Sequence, residues 1–441
     1  MTTLVSLLLA ATVAVPPVEP VPSDPDVLRL TLTETVERAR AASAHLLELT
    51  ALATAADAGI RGAKAGRLPQ VDVHGTYAHS TNFPTLTLAQ PGAEARQIAL
   101  NYPDNYRARA ALSLPVYTGG RVEGAIEASR HAREAAGSDL EGGIQDLVLE
   151  ASSAYWQLVT ARENLRVLAE SVASFEAHLK DAQARLDLGM AARNEVLAVQ
   201  VQRDRAELHR LAAANGAAVA NANLVRLVGL PAGTRIEPLE QSEAEAAPPL
   251  GVETLVGEAL GARPEAASLR SRIASLDAGV RVARASSRPQ AALSAGYDYA
   301  WPNATIVPPP KAWKSTWNVG VALSITAFDG GRSAASAAQA TAQAEALRHR
   351  LEDLERHIRL EVTSRVLDLG TARASLEVAG RNVEASIENV RVAQDRYREG
   401  VIPSSELLDA ETARLLAGLD HTAAGSDLHQ AEANLKRALG R

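Results

Sequence analysis

Apolar residues recur at alternating three- and four-residue spacings at Ile144, Leu147, Ala151, Ala154, Leu158, Ala161, Leu165, Leu168, Val172, Phe175, Leu179, Ala182 and Leu186. That is the heptad seam of a coiled coil, held over about six repeats. A second seam runs through Ile358, Val362, Leu369, Ala372, Leu376, Ala379, Val383, Val390, Ala393 and Tyr397, broken at Arg365 and Ser386. Each seam lies in a proline-free stretch, from Gly120 to Gly189 and from Gly331 to Gly400. The pattern predicts one very long helix per stretch, roughly 100 Å at the rise of an α-helix. Glycine adopts the left-handed conformation that ends helices, so Gly189 and Gly400 mark the tips. The chain then returns through Leu197 to Leu227, and through Leu407 to Leu439 after Pro403. Two long helical hairpins result, preceded by shorter helices over about 31–66 and 251–287.

Four other segments alternate with the period of a strand. Val71, Val73, Gly75 and Tyr77 share a face opposite Asp72, His74 and Thr76. Ala108, Ala110, Leu112, Leu114 and Val116 oppose Arg107, Arg109 and Ser113, with Pro115 near the end of the run. Leu293, Ala295, Tyr297 and Tyr299 oppose Ser294 and Asp298, and Trp317, Val319, Val321, Leu323 and Ile325 oppose Asn318, Gly320 and Ser324. Strands of about ten residues suit a tilted crossing of the hydrocarbon core, and Tyr77, Tyr117, Tyr297, Tyr299, Trp313 and Trp317 gather near strand ends as an interfacial girdle. Two soluble hairpins packed on helices would produce the same alternation.

The two halves repeat one another. Tyr117-Thr-Gly-Gly-Arg121 returns as Phe328-Asp-Gly-Gly-Arg332, and Arg185-Leu-Asp-Leu-Gly189 returns as Arg396-Tyr-Arg-Glu-Gly400, both pairs 211 positions apart. Ala63 to Gln70 matches Ala283 to Gln290 at a shift of 220, so nine residues are lost from the second copy between the strands, where a loop tip is expected. The expected division is a signal peptide over 1–20, a first repeat over 21–230 with its β-hairpin at 70–117, a linker over 231–250, and a second repeat over 251–441 with its β-hairpin at 290–327.

Composition narrows the function. Aromatics are only 3% while hydrophobic residues reach 46%, which suits close helix packing. A net charge of -7 offers no basic excess for a nucleic-acid partner. There is no cysteine, hence no disulfide, thiolate metal site or lipidated N-terminal cysteine. No phosphate-binding, nucleophile-elbow or zinc-ligand spacing occurs, so no cofactor, metal or catalytic site is expected. The apolar run Leu4 to Val15 before Pro16 reads as a secretory signal without a basic start, a disordered leader being the other reading. No later segment is apolar for about 18 residues, so a membrane-spanning form would have to be a β-barrel. Four strands cannot close one, which calls for oligomerisation.

The order of these motifs resembles the TolC-like outer-membrane efflux proteins (outer membrane factors). It rests on Leu32-Thr-Glu-Thr-Val36, both Pro-Gln strand entries, both Gly-Gly-Arg turns, Val228-Gly-Leu-Pro231 and both Gly-x5-Glu tips. The resemblance implies a mainly α fold with a transmembrane β-barrel: duplicated helical hairpins forming a coiled-coil tunnel, and four strands per chain closing a 12-stranded barrel in a homotrimer. Such proteins are not enzymes. They serve in the outer membrane, with the helical part in the periplasm, as exit ducts of tripartite efflux pumps or type I secretion systems. Their partners are outer-membrane lipid, a periplasmic adaptor and an inner-membrane transporter.

By position after the tip glycine, Glu406 and Asp409 match the family's constriction carboxylates, while Glu195 and Tyr397 match groups tying neighbouring hairpins together. Three copies of Glu406 and Asp409 would favour cations. They are equally suited to be solvated acids at a helix start. Where some relatives carry arginine two residues past the second tip glycine, this chain has Ile402. Gly189, Met190, Gly400, Val401 and Ile402 are therefore expected to expose apolar tips for adaptor docking, or to pack against one another. A soluble periplasmic coiled-coil scaffold and an adaptor-type protein remain as alternatives, and the cargo is open between drugs, metals and proteins.

Overall fold

The computed structural model describes residues 27–82, 84–88, 96–239 and 251–441. The expected signal peptide and the linker from 240 onward lie outside them. In chain order the elements are β1 (Val27–Leu30), α1 (Leu32–Ala42), α2 (Ala44–Ala65), β2 (Gln70–His79), β3 (Thr85–Leu88), β4 (Arg96–Ala99), β5 (Asp104–Tyr117), α3 (Arg121–Asp187) and α4 (Arg193–Leu227). There follow β6 (Arg235–Pro238), α5 (Val252–Ala262), α6 (Pro264–Ala285), β7 (Gln290–Trp301), β8 (Lys314–Ser324), α7 (Arg332–Arg398) and α8 (Ser404–Ala438). The two seamed helices, α3 and α7, have 67 residues each. No helix among the described residues is long and apolar enough to cross a membrane.

The chain divides into two compact units, each drawing on both repeats. One comprises Ser43–Glu150, Glu245–Glu377 and Asp427–Arg441. Its centre is an antiparallel sheet in the order β2-β5-β7-β8, so that β5 and β7 join the two expected hairpins and β2 and β8 are edges. Register aligns the alternating apolar positions on one face: Val73 pairs with Ala110, Ala110 with Tyr297, and Tyr297 with Trp317. That face is bare in the single chain, with Val73 75% and Leu323 76% exposed. The opposite face carries Arg107 and Arg109, whose guanidinium nitrogens lie 3.7 and 4.0 Å from Asp298. Within the β2–β5 connection, β3 and β4 form a further short hairpin, in the region where the first repeat is longer than the second.

The helices of this unit pack around Leu255, Val256, Ile358, Val362, Leu369, Leu428 and Leu435. Each such side chain, fully buried, contributes about 1.5–3 kcal/mol. The strands hand over to the long helices through Gly119, Gly120, Gly330 and Gly331, all at positive φ. Gly119 admits no substitute, since a Cβ there would stand 2.8 Å from that of Arg288.

Each helix expected over 31–66 and 251–287 is interrupted once. Ser43 is extended and accepts the amide hydrogen of Leu46 at 3.3 Å, capping α2. Arg263 is likewise extended because Pro264 follows, and the proline occupies the first turn of α6, where no amide hydrogen is required.

The second unit comprises Met1–Ala42, Ala151–Ala244 and Val378–Ser426. The first part of the expected linker here forms β6, which pairs in parallel with β1. Tyr155 of α3, 1% exposed, donates its hydroxyl hydrogen to the carbonyls of Leu30 and Leu239. Asn221 of α4 brackets β6, donating to the Thr234 carbonyl at 2.8 Å and accepting from Ile236 at 2.9 Å. The remainder of the unit is the tip of both helical hairpins.

Candidate gate at the helical tips

Both tips close in the same way. Gly189 (φ 74°) lets Met190 donate to the Arg185 carbonyl at 2.8 Å while Gly189 itself donates to Leu186 at 2.9 Å. Gly400 (φ 78°) repeats this, with Val401 donating to Arg396 at 2.9 Å and Gly400 to Tyr397 at 3.0 Å. This is the Schellman closure, which satisfies carbonyls left over at a helix end.

The tip surface is apolar at Leu188, Met190 and Val401, exposed by 75, 70 and 59%. Ile402 differs from the expectation: it is only 8% exposed and packs with Val390, Ala393, Tyr397, Leu407 and Ala410. The reason is local. Ile402 precedes the Pro403 start of α8 and meets Leu407 in the next turn, a hydrophobic staple. Of the residues expected to present an apolar tip, Met190 and Val401 do so.

Glu406 and Asp409 lie three apart on α8 and are both exposed, while Leu407, Leu408 and Ala410 between and beside them are buried. They therefore share one outward face, and Glu406 also stands in the first turn, where a carboxylate suits the helix dipole. Glu195 occupies the corresponding first turn of α4 and is half-buried. Tyr397 is 4% exposed. Burial pushes its phenol above the ordinary value, with Arg185 opposing and Glu195 reinforcing. Its hydroxyl oxygen is buried without a hydrogen-bond partner; nearby Ser404 is instead bonded to His178.

The sequence pattern did not single out the residues that fasten this tip. From α3, Arg185 lays its guanidinium 4.3 Å from the centre of the Tyr397 ring and donates to the carbonyls of Tyr397 and Arg398 at 2.6 and 2.8 Å. About two turns earlier on α3, the buried His178 bridges Glu411 through Nδ1 and Ser404 through Nε2, both at 3.0 Å. Ser174 donates to the other oxygen of Glu411 at 2.9 Å. The Ser–His–carboxylate order is that of a nucleophile relay, but Ser404, His178 and Glu411 are 2, 4 and 5% exposed. Sealed in this way, the three can join helices but cannot meet a substrate.

Residues 35–230 and 255–441 match the family model described as Outer membrane efflux protein. Among curated proteins, Protein CyaE of Bordetella pertussis is 25% identical over 334 residues, 75% of this chain and 69% of CyaE. Alkaline protease secretion protein AprF of Pseudomonas aeruginosa is 24% identical over 273 residues, 61% of this chain and 56% of AprF, so the match spans little more than half of that relative. Among solved structures, the outer-membrane channel OprN superposes with a TM-score of 0.78 at 24% identity, covering 93% of this chain and 89% of OprN. The outer membrane protein VceC of Vibrio cholerae gives 0.77 at 18% identity, covering 93% and 96%. At these identities the structural matches speak for the fold.

Proposed function

The chain belongs to the outer membrane efflux protein family, and from that premise we propose how it forms a passage. It is an outer-membrane exit duct of efflux or secretion systems, with its helices reaching into the periplasm, and it is not an enzyme. Three copies, each lending β2, β5, β7 and β8, close a barrel of 12 strands in the outer membrane. The observation that carries this is the four-stranded sheet itself, with one face apolar and exposed and each edge strand paired on one side only. Lipid covers that face, and neighbouring copies pair the edges.

The helical hairpins of the three copies continue the passage, and their tips close it. Glu406 and Asp409 face the axis at the constriction, Glu195 and Tyr397 tie hairpins together, and Gly189, Met190, Gly400 and Val401 with the underlying Ile402 form the surface that meets a periplasmic adaptor. An inner-membrane transporter supplies the energy and chooses the cargo. A ring of carboxylates at the narrowest point makes the closed pore cation-selective.

Planar-bilayer conductance under asymmetric KCl tests this on detergent-purified protein. We expect small cation-selective steps, and a reversal potential that moves toward zero in Glu406→Ala/Asp409→Ala. A chain that stays monomeric and soluble without detergent would sink the duct assembly; unchanged selectivity in the double variant would remove the carboxylates from the constriction.

A further inference from the structure

We propose that the polar face of the β2-β5-β7-β8 sheet holds an oxyanion site: Arg107 and Arg109 of β5, with Lys314 of β8, take up the carboxylate, sulfate or phosphate groups of solutes in the passage. This rests on reading the sheet as one share of a barrel whose polar face lines the lumen.

Register brings the three cations together. Thr76, Arg107, Ala300 and Lys314 form one row across the four strands, and His74, Arg109, Asp298 and Thr316 form the next. Arg107 and Arg109 are two residues apart on one strand, so they share a face about 7 Å from one another. Only Ala300 separates Arg107 from Lys314 within their row, which puts their backbones about 10 Å apart at the usual strand spacing. Long side chains on such a base converge on a group the size of phosphate. Both rows lie toward the strand ends away from the helices, which the chain reaches through Gln70, Tyr117, Gln290 and Ser324. In a barrel they form a collar near the outer mouth. Glu406 and Asp409 belong to the other compact unit, so the two sets of charge are separate.

The protein's own anions do not use up this charge. Among the described residues, Asp298 is the one carboxylate within ion-pair reach of either arginine, 3.7 Å from Arg107 and 4.0 Å from Arg109. Those separations exceed hydrogen-bond length, and neither guanidinium donates a hydrogen bond to a described residue. Their N–H groups, set in the planar fork that fits carboxylate and phosphate, are left for a ligand. The arginine side chains are 48 and 45% exposed against 18% for Asp298, so a solute meets the cations before the carboxylate. Lys314 is exposed and has no ion-pair partner among the described residues. One row further on, Gly296 lets Arg109 and Asn318 lie close over the sheet, since a Cβ there would stand 3.5 Å from Arg109 Nη2 and 2.6 Å from Asn318 Oδ1.

The fold does not require these cations. At the 211-residue offset that relates β5 to β8, Arg107 and Arg109 correspond to Asn318 and Gly320, so a strand of the same design is built without them. Balancing Asp298 takes one cation, and this face supplies three. Lipid phosphate is not the ligand, because the apolar face of Val73 and Val321 is the opposite one.

The test is calorimetric titration of inorganic tripolyphosphate into full-length trimers in neutral detergent, with trimer content checked on gels. Binding at the barrel end does not depend on the tips, so a shut gate does not hide it. Each chain carries a net charge of -7, so the rest of the surface repels a polyanion. Arg107→Gln/Arg109→Gln should weaken binding about ten-fold or more, since two charge-assisted forks are lost. Lys314→Gln should weaken it less, and Asp298→Asn should tighten it. A merely structural role for the cluster does not give these opposite signs. Should the double variant fail to assemble, Lys314→Gln and Asp298→Asn carry the test. Assembled trimers that bind no tripolyphosphate, or bind it equally in all variants, overturn the inference and leave the duct standing. Competition by phosphatidylglycerol added to the micelles would put the arginines on lipid and overturn it as well. A chain that stays monomeric fells the barrel and the site together.

Discussion

Tyr155 shows how much of this molecule depends on single side chains meeting distant backbone. Its buried hydroxyl serves two carbonyls, Leu30 and Leu239, on either side of the small β1–β6 sheet. Tyr155→Phe removes the hydroxyl donor from both carbonyls, and although that of Leu30 keeps the Leu239 amide at 2.8 Å, losing such a hydrogen bond costs about 0.5–1.5 kcal/mol; thermal unfolding of the variant should record the loss. A variant as stable as wild type would show that water reaches those carbonyls. Residues of this kind are poorly legible in sequence. His178 and Glu411 stand 233 positions apart, and His178 sits beside the seam, where a heptad count passes over it. Arg185 was visible as half of a repeated motif, yet its repeat partner Arg396 is exposed, so repetition alone could not say which of the two points inward. Ile402 stands where some relatives carry arginine, and the sequence leaves an exposed tip and a packed one equally open; the staple with Leu407 is a three-dimensional fact.

Elements with a strong period were legible. The seams of α3 and α7 and the alternation of β2, β5, β7 and β8 place each element within a few residues, since burial on one face imposes the period. The short strands β1 and β6 carry only four residues each and pair across 208 positions, so no period could announce them. Where elements meet, charge takes over from periodicity. Glu265 in the first turn of α6 bonds Arg437 in the last turn of α8, and Arg437 also reaches Asp146 of α3 at 2.7 Å. Burial alone would push the Glu265 carboxyl up, but the Arg437 hydrogen bond, its own backbone and the nearby cations prevail and hold it below the ordinary carboxylate value. A depressed folded pKa contributes stability above the unfolded value, and that contribution is lost as pH falls through the folded one. Stability should therefore decline on acidification below about pH 4.5, the ordinary glutamate value. Glu265→Gln should be less stable near neutrality and show a shallower acid slope in urea melts across pH 3–7, about 1 kcal/mol at most for so solvent-screened a pair. Equal slopes for the two proteins would remove Glu265 from the acid response.

For the whole molecule, the informative quantity is apolar surface that one chain cannot cover. Val321 pairs with Leu293 in the middle of β8 and is 74% exposed. In a lipid-facing barrel, Val321→Arg costs about 2–4 kcal/mol near the midplane; the yield of heat-resistant trimer in membranes should fall while the chain is still synthesised. An undiminished yield would mean that this face does not meet lipid. That a barrel built on this sheet would have to be shared between copies follows from the strand count alone, because four strands have two ends.

Those two ends bear on how the protein is made. A newly exported copy would carry an unsatisfied strand margin on both β2 and β8, beside a bare face of valine, leucine and tryptophan. Strand margins of that kind pair with whatever is nearest, including the wrong chain. With the barrel proposed above, maturation becomes a race between like copies finding one another and any copy finding something else, and its yield should depend steeply on the rate of synthesis. Overproduction would outrun chaperoning first at the sheet, leaving helices formed and barrels unmade.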